Sequence, residues 1–320
     1  MRIRVSSLGF AVPATVETAA QLAPRIGRTE EWIVAHTGVR ERRIATTETM
    51  EGLAAAAARE ALGDERPDLI INASTTPRQL IPDSSVFIQR ELGLKGTPSY
   101  SVHATCLSFV AGLQLAGSLL VTKQFDRILL VSSETGSISR NFEEPESAAL
   151  IGDGAAAAVV ERTPEGESSQ LLAWQMGTWS EGAELTEFRG AGTYRHPNDA
   201  RTVRADNLFK MDGPRVYKMA RRRVAEVLVR LLEQAGIDRS QIDLIVPHQA
   251  SGPALEALAR YGFDESRIVN IVGRYGNCIA ASIPMALVEA DRTGRLRRGS
   301  TVMLLGTGAG LSVAGAVLRW

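Results

Sequence analysis

Apolar residues along this chain follow two rhythms that alternate. Short continuous apolar runs, the pattern of strands buried on both faces, occur in "DLIINAST" (Asp68 to Thr75), Arg127 to Ser132, "GDGAAAAVVE" (Gly152 to Glu161), "DLIVPHQAS" (Asp243 to Ser251), Thr301 to Leu305 and "GTGAGLSVAGAVL" (Gly306 to Leu318). Helical spacing predicts helices at about Thr49 to Leu62, Ser84 to Leu92 and Pro214 to Ala235. Two more helix-like segments are "CLSFVAGLQLAGSLL" (Cys106 to Leu120) and "CIAASIPMALVEA" (Cys278 to Ala290). The short runs "YSVHA" and "RIVNI" are expected to be inner strands leading to those two helix starts. Strands alternating with helices predict an α/β architecture with mostly parallel central strands. The stretch from Trp174 to Lys210 is polar and irregular, and is expected to form an insertion or lid.

Three of these segments recur in the same order. Asp68 to Thr75 answers Asp243 to Ser251, Cys106 to Leu120 answers Cys278 to Ala290, and Gly152 to Glu161 answers Gly306 to Leu318. A duplicated unit accounts for this, with an N-terminal half over 1–165 and a C-terminal half over 166–320. Two sheets with helices packed between and outside them would bury the Ala-rich segments, which carry too little polar surface to face solvent.

With 320 residues the chain can bury a large core. Lys and Arg together number 36, as do Asp and Glu, so no global field gathers nucleic acid or an anionic membrane. The apolar stretch in "MRIRVSSLGFAVP" is short and interrupted, and the longest apolar run, near Cys106, contains Ser, Gln and Gly. A soluble cytoplasmic protein is expected. Two cysteines, Cys106 and Cys278, with no CxxC pair, argue against a disulfide framework and against zinc. His103 and Cys106 form an HxxC pair without further ligands, so no metal is expected. "GTGAG" and "GDG" lack the residues that follow a phosphate-binding loop, and read as turns before strands.

Cys106 ends a strand-like run and opens a helix-like one. Backbone N–H groups and the positive end of a helix dipole at such a place favour a thiolate, which is a nucleophile able to take an acyl group from a thioester. A lone cysteine before an apolar helix is most often a buried small hydrophobe, so partners decide. His248 stands at the end of the apolar strand "DLIVP", where functional faces of α/β folds lie, and Asn277 in "RYGNCIAASIP" mirrors Cys106 in the second repeat. Folding the two halves about a pseudo-twofold would bring all three into one pocket. There an imidazole and a carboxamide can hydrogen-bond a developing enolate or carbonyl oxygen.

The segments "EWIVAHTGVRERR", the Cys106 helix, "IGDGAAAAVVE", "VPHQAS" and "YGNCIAASIPMAL", in this order over nearly the whole chain, resemble those of the ketoacyl-acyl-carrier-protein synthase III family within the thiolase superfamily. The resemblance implies a five-layer α-β-α-β-α thiolase fold, a homodimer, and decarboxylative Claisen condensation of a cysteine-bound acyl group with a malonyl thioester in fatty-acid or specialised polyketide synthesis. It implies that Cys106 is acylated, that His248 and Asn277 support decarboxylation and bind the thioester carbonyl, and that the backbone N–H groups of Cys106 and Ala309 form the oxyanion hole. Acyl carrier protein or coenzyme A thioesters are implied as substrates, with no cofactor.

This chain departs from the family pattern near the substrate. Trp32 is present, but His36 replaces an arginine that helps hold the coenzyme A nucleotide, and Pro253 stands where a carrier-contacting arginine is common. Acidic residues in "EEPESAALIGDG" occupy the region where another arginine is common. Leu107 and Ser108 stand where small residues are common, and Ile81 falls where the family places a gate residue, often Phe, reaching the partner's acyl pocket. The smaller gate points to a longer or branched acyl group. Arg221, Arg222, Arg223 and Arg230 form a basic run suited to an acidic carrier protein, or equally a solvated helix face. Two other functions remain open: transfer of the acyl group from Cys106 to an alcohol, amine or other acceptor, and a non-catalytic partner for another synthase subunit.

Overall fold

A computed structural model describes residues 1–320. Its five layers follow from where apolar side chains can be covered. One five-stranded sheet runs in the order Ile3–Ala11, Gly154–Arg162, Arg127–Glu134, Leu69–Asn72, Ser99–Ser101. The four-stranded sheet runs Leu244–Pro247, Thr301–Gly308, Ser312–Arg319, Gln170–Thr178. In each sheet a parallel pair lies at the centre or edge (Leu69–Asn72 with Arg127–Glu134, Leu244–Pro247 with Thr301–Gly308) and the following strands are antiparallel. The pairing scheme of one sheet thus repeats in the other.

Helices Ser108–Val121 and Ser282–Arg292 fill the space between the sheets and touch strands of both. Their Ala and Leu side chains belong to a core of 37 buried residues that includes both inner sheet faces. Helix Met50–Leu62 covers the outside of the first sheet with a face of Ala54, Ala57, Ala58 and Ala61, and Gly213–Ala235 covers the second through Val224, Val227, Leu228 and Leu231. Small residues on the first of these helices allow close helix-to-sheet approach, so burial is gained mainly by contact density.

The expected helices and most strands are present, and two sequence expectations require correction. "RIVNI" makes only an isolated bridge, Ile245 with Ile268, because Gln249 takes the neighbouring backbone carbonyl and N–H of Val269 and Ile271. The start of the stretch expected to be irregular, Trp174 to Thr178, belongs instead to a nine-residue strand, Gln170–Thr178, paired with Ser312–Arg319. Leu171 packs in the core between the sheets and Ala173 in the core beneath helix Gly213–Ala235, on either side of a register shift, so a bulge in this edge strand breaks the alternation that would have marked it. Beyond it, short 3-10 turns and a two-residue ladder, Thr186–Glu187 with Lys210–Met211, replace regular structure.

Candidate active site

Cys106 lies just before helix Ser108–Val121, in a turn built under strain. Thr105, a β-branched residue, has φ 51°, a left-handed conformation that costs about 1–3 kcal/mol. Ser108 holds the turn: its Oγ accepts from the Ala104 N–H at 2.9 Å and donates to the Thr105 carbonyl at 2.6 Å. Leu107 is fully buried, and its side chain would meet a Cβ placed on Gly306 at 3.0 Å or on Gly308 at 3.2 Å. The "CLS" sequence is therefore a packing and stapling device, in which Leu107 seats the turn against the C-terminal glycine loop and Ser108 closes it. Leu107 lies in the protein interior, packed against that loop.

That glycine loop brings the second half of the chain to the first. Gly306 lies against both Leu107 and the Cβ of His248, where an added Cβ would stand 2.9 Å from the latter. Gly308 lies against Thr105, whose Oγ1 would be 2.5 Å from such a Cβ. Side chains at either position would push the two halves apart. The backbone N–H groups of Cys106 and Ala309 both interact with the Cys106 sulfur. They are the pair expected to form an oxyanion hole.

His248 follows strand Leu244–Pro247, and its N–H donates to Leu305 at 2.8 Å. The next residue fixes the loop. Gln249 is fully buried and uses both ends: Nε2 donates to the carbonyls of Pro247 and Val269, and Oε1 accepts from the Ile271 N–H. Asn277 stands between two loops, its N–H donating to Leu150 and its carbonyl accepting from Gly152. Its Oδ1 accepts from Ile279 at 2.9 Å, while Nδ2 points to the Ala250 carbonyl at 3.4 Å, next to the His248–Gln249 turn. Contacts thus link all three candidate residues: Cys106 to Ala309, Leu107 through Gly306 to His248, and Ala250 to Asn277.

Electrostatics at the cysteine reverse the expectation of a ready thiolate. Although residue Cys106 keeps partial solvent contact, its sulfur lies in a protein interior environment, and burial pushes the thiol up to about 12. Glu134 adds to this with its negative charge, outweighing the two backbone N–H groups. Desolvation and a nearby carboxylate thus outweigh what the N–H groups at this helix start offer the sulfur. Burial also lowers His248 to about 4, so its imidazole is neutral at pH 7, and its Nδ1 makes no hydrogen bond within the protein. A neutral thiol and a neutral imidazole, both desolvated, form a site in which protons move with the reaction.

Glu134 carries the buried carboxylate that sequence reading missed. It ends strand Arg127–Glu134 and accepts from the Thr75 N–H at 2.6 Å and from the Thr76 N–H and hydroxyl at 3.0 and 2.6 Å. Burial raises it to about 7. Its only sequence signal is an acid at the end of an otherwise apolar strand. Cys278 is buried, its thiol donates to the Tyr275 carbonyl at 3.4 Å, and burial holds it far above the ordinary range.

The outer candidates lie apart. His36 stacks on Trp32 with centroids 4.3 Å apart, its Nδ1 bonded to the Trp32 carbonyl at 2.8 Å, and Arg28 lies over the same indole at 5.0 Å. Ile81 is 85% exposed, in a loop that Glu134 anchors at Thr75 and Thr76. Arg222 and Arg223 are paired with Glu226, and Arg223 also with Glu181, whereas Arg221 and Arg230 face solvent without an ion pair. No group of three or more His, Cys, Asp or Glu side chains is arranged to hold a metal ion.

Comparison with known proteins agrees with this architecture. Family models described as 3-oxoacyl-[acyl-carrier-protein] synthase III and its C-terminal region match residues 100–180 and 232–320. Beta-ketoacyl-[acyl-carrier-protein] synthase III of Desulfitobacterium hafniense is 34% identical, over 99% of this chain and 98% of that protein. The chain belongs to the synthase III family. The Symbiobacterium thermophilum synthase III is 36% identical over 100% of this chain and 99% of its own.

Solved synthase III structures superpose closely. That from Pseudomonas aeruginosa has TM-score 0.91 at 33% identity, covering 100% of this chain and 98% of that one. The Aquifex aeolicus structure gives 0.90 at 30% identity, covering 99% and 100%. Xanthomonas campestris OleA, at 23% identity and TM-score 0.88, shares the fold. This synthase III chain is an acyl-transferring enzyme with the five-layer thiolase-type fold, and a purely non-catalytic role is set aside.

Proposed function

We propose that this synthase III joins an acyl group held on Cys106 to a malonyl thioester with loss of carbon dioxide, forming a 3-oxoacyl thioester. The observation that supports this most is the linked set around the glycine loop: Cys106 against Ala309, and His248 and Asn277 tied through Gly306 and Ala250. Acylation proceeds by attack of the Cys106 sulfur on the donor thioester carbonyl; the C–S bond to the carrier then breaks, and the departing carrier thiol takes up the proton that Cys106 gives up. The N–H groups of Cys106 and Ala309 stabilise the oxyanion. In the second step neutral His248 and the Asn277 carboxamide bind the acceptor's thioester oxygen, where negative charge gathers as carboxylate is lost. Low dielectric strengthens both hydrogen bonds. No prosthetic group takes part.

The donor arrives on an acyl carrier protein. Trp32 is covered by His36 and approached by Arg28, so a nucleotide would have to displace one of them to stack there. Exposed Lys218, Arg221, Arg230 and Arg260 suit an acidic carrier. Dimerisation is supported by the edge strand Ser99–Ser101, open on one side and leading to Cys106, and by exposed Leu80, Ile81 and Ile138. In the dimer Ile81 reaches the partner's acyl pocket. The test is carbon dioxide release from malonyl-carrier protein by the pre-acylated enzyme. Acyl transfer to alcohols or amines without such release would replace the proposal.

A further inference from the structure

Two turns of the site rest on β-branched residues in a left-handed conformation. Thr105 has φ 51° and Ile279 φ 48°, and each stands three residues before the serine that begins a central helix, Ser108 or Ser282. Such residues avoid positive φ unless their surroundings hold them there. In the first turn Ser108 is the holder, its Oγ accepting from the Ala104 N–H and donating to the Thr105 carbonyl. In the second turn the Ser282 Oγ is buried and makes no hydrogen bond within the protein. Something else holds Ile279.

Its own side chain does so. Ile279 Cδ1 fills the space that a Cβ on Gly136 would need, and Ile151 borders the same notch, its Cγ2 standing 3.4 Å from that position. Gly136 follows strand Arg127–Glu134, and Ile151 forms an isolated bridge with Asn277, so the side chain crosses from one half of the chain to the other. Gly136 is not among the glycines with positive φ, and what its missing side chain provides is room. At the other end of the same residue, the Ile279 N–H donates to Asn277 Oδ1 at 2.9 Å. An N–H group can be met only by the oxygen of a carboxamide, so this bond fixes which way the amide is turned and leaves Nδ2 on the side of Ala250, beside the His248 loop.

We propose that Ile279 is a positioning residue for Asn277: its δ-methyl, seated in the Gly136 notch, holds the N–H of residue 279 on Oδ1 and so keeps the Nδ2 donor turned toward the acceptor oxygen. This rests on the condensation reading for what that donor does. Ile279 acts through Asn277 alone, and Gly136 matters only as the seat.

The experiment moves one methyl across the contact. Gly136→Ala forces the Ile279 side chain out of the notch, and Ile279→Val removes Cδ1 and loosens the seat. Combining them puts the alanine Cβ where the methyl was, 3.6 Å from Cγ1 of residue 279 and 3.4 Å from Cγ2 of Ile151, both ordinary contacts. Gly136→Ala should slow carbon dioxide release from malonyl-carrier protein about tenfold, as a misplaced donor does. Acylation of Cys106, read by intact mass, should be unchanged. The double variant should return to within about twofold of the wild type, since volume is conserved. On an Asn277→Ala background, Gly136→Ala should cause no further loss. Equal loss in both half-reactions, absence of rescue, or an additive loss on that background assigns plain packing and overturns the proposal. Thermal melting verifies folding, and Ile279→Val, the milder change, carries the same half-reaction test if Gly136→Ala does not fold. Orientation is read apart from turnover by NMR with the asparagine nitrogens isotopically labelled. The Nδ2 signals that vanish in Asn277→Ala should shift or broaden in the single variants and return in the double; signals unchanged in the single variants overturn the proposal. If the wild type releases no carbon dioxide, the condensation reading fails, and these signals then decide whether Ile279 orients the carboxamide.

Discussion

The carboxamide of Asn277 donates from Nδ2 to the carbonyl of Ala250 at 3.4 Å, just past His248. This bond joins the loop that carries the imidazole to the loop that carries the amide. The contact is long for an amide hydrogen bond, so the N–H group is weakly held and can turn to a substrate oxygen. Asn277→Ala is expected to leave acylation of Cys106 intact and to slow condensation by about 10²-fold or more, the usual loss on removing an oxyanion donor. Separate assays of the two half-reactions check this. Equal losses in both would contradict the division of roles.

The thiol of Cys106 is raised to about 12, so its thiolate is scarce at neutral pH. Its alkylation by iodoacetamide is expected to accelerate steadily up to pH 10 without levelling. A plateau below pH 8 would show that the helix terminus and N–H groups outweigh burial. Glu134→Gln removes the negative charge that helps hold the thiol up, and should raise the alkylation rate at any given pH.

Burial raises Glu134 to about 7 from 4.5. The folded protein therefore holds this proton more tightly than the unfolded chain. Its contribution to stability is fully present below about pH 4.5 and is lost as pH rises through 7. His248, lowered from 6.5 to about 4, has the opposite effect: its contribution is present above 6.5 and is lost as pH falls through 4. Subtracting the melting curve of Glu134→Gln from that of the wild type isolates the carboxylate. The wild type should lose ground relative to the variant between pH 4.5 and 7, and a difference independent of pH would disprove the assignment.

Gly306→Ala tests the contact between the halves. The new Cβ would stand 2.9 Å from the Cβ of His248 and 3.0 Å from Leu107, closer than side-chain carbons tolerate. Destabilisation of about 1–3 kcal/mol is expected from such overpacking, measurable by urea unfolding. A neutral substitution would mean that the loop can withdraw.

Periodicity made the central strands and long helices readable, because Leu69–Asn72, Leu244–Pro247 and Met50–Leu62 bury whole runs or faces. It failed at Gln170–Thr178, where a register shift puts Leu171 and Ala173 on opposite faces of an edge strand and breaks the alternation. The three candidate residues stood out as motifs. Their environment did not, since the charge that opposes the Cys106 thiolate comes from Glu134, 28 positions away in sequence, and desolvation is a property of packing. Gln249 and Ser108 were hidden for a related reason: each acts by saturating backbone groups, which a side-chain pattern does not reveal.

Central to the account is that Cys106 carries the acyl group. Incubating the purified protein and Cys106→Ala with a panel of acyl-carrier-protein and acyl-coenzyme A thioesters, then recording intact mass, tests this most directly. The account predicts a mass gain of one acyl group in the wild type, on a larger fraction of the protein with carrier-borne donors, and none in the variant. An adduct of equal size on Cys106→Ala, or none on either protein with any donor, would contradict it.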